Sequence, residues 1–247
     1  MTDDGFQRAL AELLTVPGTR RMLDDAADGF AARFALTADE LGLLLGTNRS
    51  RLDLTARSIV GKRLDFVRRA LPATMSALPA RSHQGLFADF IGRCPPVEPA
   101  EHGARPIGEA RRFADYLRDC GPAGVPLAAD LAEYEVLRAE AQFGQPTSSD
   151  RLLGGHVRLG HFTFDVITLY DGWRRAGRVQ AEPTPRPTWL AVVRASESSA
   201  LACFRLGERA YAVLDRLGRG EFAPDSEVER AVLRLAQQEG WLTDAGC

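Results

Sequence analysis

The feature that most constrains this chain is a change in the spacing of its apolar residues, which falls between Gly144 and Gly155. Before it, apolar side chains recur every three or four positions, the period of a helix with one buried face. After it they alternate singly, the period of a strand lying on a core. A chain that changes period once is neither all helix nor all sheet. The expected class is α+β: an α-helical N-terminal domain over 1–148, then a small winged-helix-like α/β C-terminal domain over 149–247. Gln145-Pro146-Thr147-Ser148-Ser149 between them has the composition of a linker. At 247 residues there is enough chain for two such units.

In the helical part, Phe6, Leu10, Leu13 and Leu14 share one face, and Pro17-Gly18 ends that helix. Met22, Leu23, Ala26, Ala27, Phe30 and Phe34 make a second stripe. Thr37 with Glu40 is a capping box that starts a third helix through Leu41, Leu44 and Leu45. A long helix follows with Leu52, Ala56, Ile59, Val60, Val67, Ala70 and Leu71 on its buried side, interrupted at Pro72. Stripes at Leu86 to Ile91, Ile107 to Leu117 and Leu127 to Tyr134 complete the set. Further on, Phe162, Phe164 and Val166 read as one face of an extended segment. The apolar run 189–193, a polar turn at 196–198 and the run 200–204 read as a β-hairpin. Two helices close the chain, one carrying Ala210, Val213, Leu214 and Leu217. The other starts at a Ser226–Glu229 capping box and stops at Gly240.

Composition removes several classes of function. The net charge is −2 and neither half is basic, so no general phosphate-binding surface is advertised. No apolar run reaches the roughly 20 residues that span a bilayer, and the acidic start Met1-Thr2-Asp3-Asp4 does not resemble a signal peptide. A cytoplasmic protein with no membrane partner is expected. Cys94, Cys120, Cys203 and Cys247 are scattered, and His83, His102, His156 and His161 lack the spacings that build a metal site on a helix. Phosphate-binding glycine motifs and a nucleophile elbow are absent. Asp130, Glu133 and Glu135 point at different angles round one helix and read as a solvated face, not an acid/base pair. Arg57, Lys62, Arg63, Arg68 and Arg69 read as the solvent- or partner-facing side of the long helix.

Hairpin, helix, turn and helix make a winged-helix-like unit, which can bind DNA or a peptide. A DNA-binding transcriptional regulator is the alternative function, but the second helix would present Asp225, Glu227 and Glu229 to phosphate. Nucleic acid is disfavoured on that ground. A peptide can instead add as a strand to a hairpin edge. The candidate binding residues are Ser199, Ala200, Leu201, Ala202, Cys203, Phe204 and Arg205 on the edge, with Val228, Val232 and Leu235 on the helix beside it. That edge is either open or covered by the segment 162–169; the pattern does not decide between them. No catalytic residue and no metal ligand is expected in this chain.

Several stretches carry a family resemblance: the long helix from Arg49 to Leu64 and on to Ala70-Leu71-Pro72, Phe113 to Leu117, Leu127 to Glu135, Trp189 to Arg194, Phe204 to Leu206, and Ala212 to Gly220. From about residue 45 to the end, the chain resembles the partner proteins of multinuclear non-haem iron-dependent oxidative (MNIO) enzymes, which modify ribosomally made peptides. Members pair a helical N-terminal domain, once labelled DNA-binding, with a C-terminal domain like a RiPP recognition element. The resemblance implies a non-catalytic accessory subunit of a heterodimer. Its C-terminal domain would bind the leader of a precursor peptide for the MNIO enzyme. The iron would belong to that enzyme, leaving no cofactor here.

Overall fold

The computed structural model of the chain describes residues 4–16, 18–94, 96, 105–119, 125–143, 153–179, 183–194, 200–221 and 225–242. The helical region comprises α1 (Asp4–Thr15), α2 (Thr19–Asp25), α3 (Ala27–Phe34), α4 (Ala38–Gly46), α5 (Arg49–Ala70), α6 (Pro72–Ala77), a 3-10 turn at Ala80–Ser82, α7 (His83–Arg93), α8 (Arg105–Asp119) and α9 (Pro126–Phe143). After it come β1 (Val157–Phe162), α10 (Val166–Ala176), β2 (Thr188–Arg194), β3 (Leu201–Leu206), α11 (Glu208–Gly218) and α12 (Glu227–Gln238). A mostly helical region followed by a small sheet with helices is an α+β arrangement, as the change of period requires. Among the described residues, no helix is long and apolar enough to cross a membrane.

Local chemistry sets the ends of these elements. Thr37 and Glu40 form the reciprocal capping box at α4, and Ser226 and Glu229 do the same at α12. Gly240 takes a left-handed φ of 68°, which lets the Trp241 N–H turn back to the Ala236 carbonyl at 2.8 Å. Two expected elements come out differently. The stripe from Met22 to Phe34 is split at Ala26, whose φ of −146° and ψ of 58° lie outside the helical region. The extended segment through Val166 ends at Phe162 instead. Asp165 accepts from the Thr168 N–H and starts α10, whose inward side chains are Val166 and Leu169.

The sheet is antiparallel in the order β1-β2-β3. Val157 pairs with Val193 and Gly160 with Leu190; on the other side Ala191 pairs with Phe204 and Val192 with Cys203. This register sorts the side chains cleanly. Val157, Ala191 and Val193 pack with Leu214, Leu217, Ala236 and Trp241 of the α11–α12 side. Phe162, Leu190 and Val192 pack with Tyr134, Leu137 and Ala141 of α9 and with Val166 of α10. Being covered on both faces, β2 is apolar almost throughout. At Gly160 a β-carbon would come within 2.6 Å of the Leu137 side chain, so glycine permits α9 to lie this close.

α9 also faces the other way. Its Ala128, Ala132 and Val136 join Val67, Phe87, Phe90, Phe113 and Tyr116 in the core of the helical region. Phe90 and Phe113 meet edge to face there, with ring centroids 5.1 Å apart. A separate cluster of Leu13, Leu23, Phe30, Phe34 and Leu44 holds α1 to α4 together.

One basic residue corrects the sequence reading of α5. Arg57, Lys62, Arg68 and Arg69 are exposed as expected, but Arg63 is buried. It pairs with the buried Glu109 at 3.0 Å, lies 5.4 Å from the Phe90 ring centroid and donates to the Cys94 carbonyl at 2.7 Å.

Candidate functional site

The hairpin turn at 196–198 and Ser199 lie outside the described residues, as do His102, Cys120 and Cys247. β3 begins just beyond, and within the sheet it pairs with β2 alone. The segment 162–169 pairs with no strand on that side; β1 takes the opposite edge of β2. Among the described residues, nothing continues the sheet past β3. Its outward N–H and C=O groups therefore form a row that an extended chain can extend.

Alternation sends the β3 side chains to two different surfaces. Ala202, Phe204 and Leu206 belong to the α11–α12 face. Phe204 is 37% exposed and meets Trp241 at a centroid distance of 5.1 Å. Trp241 itself is buried, fixed by its carbonyl, which accepts from the Gly154 N–H at 2.8 Å. On α12, Val232 packs partly into this core. Val228 and Leu235, one turn to either side, are each 53% exposed. Helical spacing puts the three on one stripe. The end of α12 is tied down by His156, whose Nε2 hydrogen-bonds the Gly240 carbonyl at 3.1 Å.

Leu201, Cys203 and Arg205 face α9 and α10. The Cys203 thiol and the Tyr134 hydroxyl lie 3.3 Å apart, and Arg138 Nη1 donates to both, at 3.6 and 3.3 Å. The Arg138 guanidinium also covers the Tyr170 ring, 4.9 Å from its centroid. Burial, then the contact with Cys203, pushes the Tyr134 phenol well above its ordinary range, so it stays protonated and is no base. Nearer the end of the strand, Arg205 pairs with Asp165 at 2.8 Å and reaches Thr168 Oγ1 at 3.3 Å. Burial raises the Asp165 carboxyl, but hydrogen bonds from Arg205 and Thr168 outweigh this and hold it below its ordinary value.

The chain matches no protein-family model and no curated protein.

Of the sequence-predicted residues, Leu201 to Arg205 lie on the edge strand and Val232 of α12 joins the same core as Leu206, while Tyr134, Arg138, Asp165, Tyr170 and Trp241 were missed. Trp241 carried a signal, since the Gly240 stop folds it back on its helix. The others had none, because the contacts that make them matter are distant in sequence.

The carboxylates once grouped on a solvated face each have a separate structural partner. Asp130 accepts from the Thr163 and Phe164 N–H groups at 2.6 and 2.9 Å. Glu133 pairs with Arg111 and Arg118. Glu135 corrects the solvated reading outright. It is 4% exposed and accepts from Ala73 N, Thr74 N and Thr74 Oγ1 at 2.9, 2.9 and 2.7 Å, capping the start of α6. Among the described residues, no group of three His, Cys, Asp or Glu side chains is placed to hold a metal ion.

Proposed function

We propose that this chain is a non-catalytic partner subunit that binds the leader of a ribosomally synthesised precursor peptide along β3. It would present that peptide to an iron-dependent oxidative (MNIO-type) enzyme docked on the helical region. The observation that carries this reading is the β3 edge, unpaired among the described residues, with Phe204 exposed on the strand itself and Val228 and Leu235 exposed on α12. A bound strand gains main-chain hydrogen bonds from the edge and sequence preference from the flanking side chains. The succession of hairpin, α11 and α12 suits a winged-helix-like, RiPP-recognition-element-like unit, as the family resemblance implies. Leu43 and Leu54, 67% and 71% exposed, offer apolar surface in the helical region for a protein partner.

The test is co-expression of the full chain with a candidate iron enzyme and its precursor peptide, read by co-purification and by the mass of the peptide. A ternary complex and a peptide mass change that depend on this chain support the proposal. Replacing Val228 and Leu235 with aspartate should abolish peptide retention while the enzyme still co-purifies. Retention unaffected by that double replacement would overturn the placement on β3.

A further inference from the structure

Arg138 has an unusual position for a half-buried cation. Among the described residues it makes no ion pair with any carboxylate. Its hydrogen-bond and ring partners are two aromatic rings, a phenol and a thiol, and it also attracts the nearby Glu135 carboxylate without pairing with it. Glu135, three residues earlier on α9, is committed to the amides that start α6. A guanidinium has five N–H donors in a flat fork that matches a carboxylate, and among the described residues most of that capacity is unspent beside the unpaired edge of β3.

The register fixes where a partner would come from. Side chains directly opposite each other on neighbouring strands share a face. A peptide residue lying opposite Cys203 on the far side of β3 would therefore point to the α9–α10 face, next to Arg138. Its neighbours in sequence would point to the other face, toward Phe204 and the exposed Val228 and Leu235. The position opposite Arg205 is different, because Asp165 already neutralises that arginine.

We infer that the peptide strand captured by β3 carries an aspartate or glutamate beside Cys203, where its carboxylate pairs with Arg138, between apolar residues that turn toward α12. This specificity rests on the peptide-binding reading above. It makes the ligand an acidic, alternating strand and excludes a basic one.

The test uses the full chain and short synthetic peptides that alternate serine and leucine, identical except that one central serine position holds glutamate, glutamine or lysine. Affinities are read by fluorescence anisotropy at low and high salt. The glutamate peptide should bind about tenfold more tightly than the glutamine one, and the lysine peptide most weakly. Added salt should narrow the gap. Arg138→Gln should erase the preference for glutamate, and Arg138→Lys should retain part of it. A thermal melt establishes that both variants are folded, and a purely structural role for Arg138 would leave the charge preference intact. If all three peptides bind the native chain equally and Val228→Asp with Leu235→Asp abolishes that binding, the acidic preference falls while the edge reading stands. If none binds, the edge reading falls and takes this inference with it.

Discussion

Two buried side chains show how much stability rests on single residues here. Glu135 joins α9 to the start of α6, and burial pushes its pKa up to about 7 even though three hydrogen bonds favour the charged form. A carboxyl whose folded pKa exceeds its unfolded one binds more protons when folded, so its contribution declines as pH rises. The window runs from the ordinary value of 4.5 up to about 7. Urea melts across that window should show the native chain losing stability relative to Glu135→Gln, whose amide does not titrate. At neutral pH the same replacement should still cost about 1–3 kcal/mol, because the amide cannot accept from all three donors. Parallel pH curves for the two proteins would refute this account of Glu135. The second case is Arg63 with Glu109, in which Arg63 Nη1 and Glu109 Oε2 have no hydrogen-bond partner among the described residues. Arg63→Met alone should cost about 3–5 kcal/mol by stranding a buried charge. Adding Glu109→Leu should restore most of that loss, and a double-mutant cycle from denaturant midpoints measures the coupling.

At the scale of elements, what was legible in the sequence was local. The boxes at Thr37 and Ser226 bind partners three residues ahead, and the stop at Gly240 is set by its own left-handed turn. The hairpin was visible because β2 is apolar on both faces and β3 follows within a short reach. Arg63 and Glu135 looked like surface charges because their partners lie 46 and about 61 positions away. The start of α10 failed for another reason. Phe162, Phe164 and Val166 alternate over so few positions that strand and helix patterns coincide, and the Asp165 cap decides the matter. Asp165 also joins two elements: it starts α10 and anchors Arg205 of β3. Asp165→Ala should lower stability by about 1 kcal/mol as a lost N-cap. It should also raise amide exchange in the first turn of α10 and along β3 together. Exchange that rises in α10 alone would show that Arg205 does not couple them. The acidic first turn of α12, with Glu227 and Glu229, makes a further expectation at this scale. An electrophoretic mobility assay with duplex DNA at low salt should show no shift, since the carboxylates at the start of that helix repel phosphate.

Over the whole molecule, the sequence suggests a joint at the linker near residue 148, which lies outside the described residues, and the helix before it packs against both regions. α9 lies before the linker, and one of its faces completes the core beneath the sheet through Tyr134, Leu137 and Ala141. Its other face is part of the helical core through Ala128, Ala132 and Val136. Arg111 of α8 reinforces the join by pairing with Glu133 and Glu140 of α9, and Glu140 in turn faces Arg158 of β1. A wall shared in this way couples the stability of the two regions, because neither core can be complete without α9 in place. The chain offers two probes that separate them. Its tryptophans, Trp173, Trp189 and Trp241, all lie after the linker, whereas the circular dichroism of the helices comes mainly from before it. Urea unfolding followed by the two signals should give coincident curves for the full chain. Leu137→Ala, which opens a cavity between α9 and the sheet, should move both midpoints together by a loss of about 2–4 kcal/mol. A fragment spanning 149–247, lacking the α9 wall, should retain no cooperative transition of its own. Should that fragment instead melt sharply with native tryptophan emission, α9 would be a neighbour of the sheet region and not part of its core.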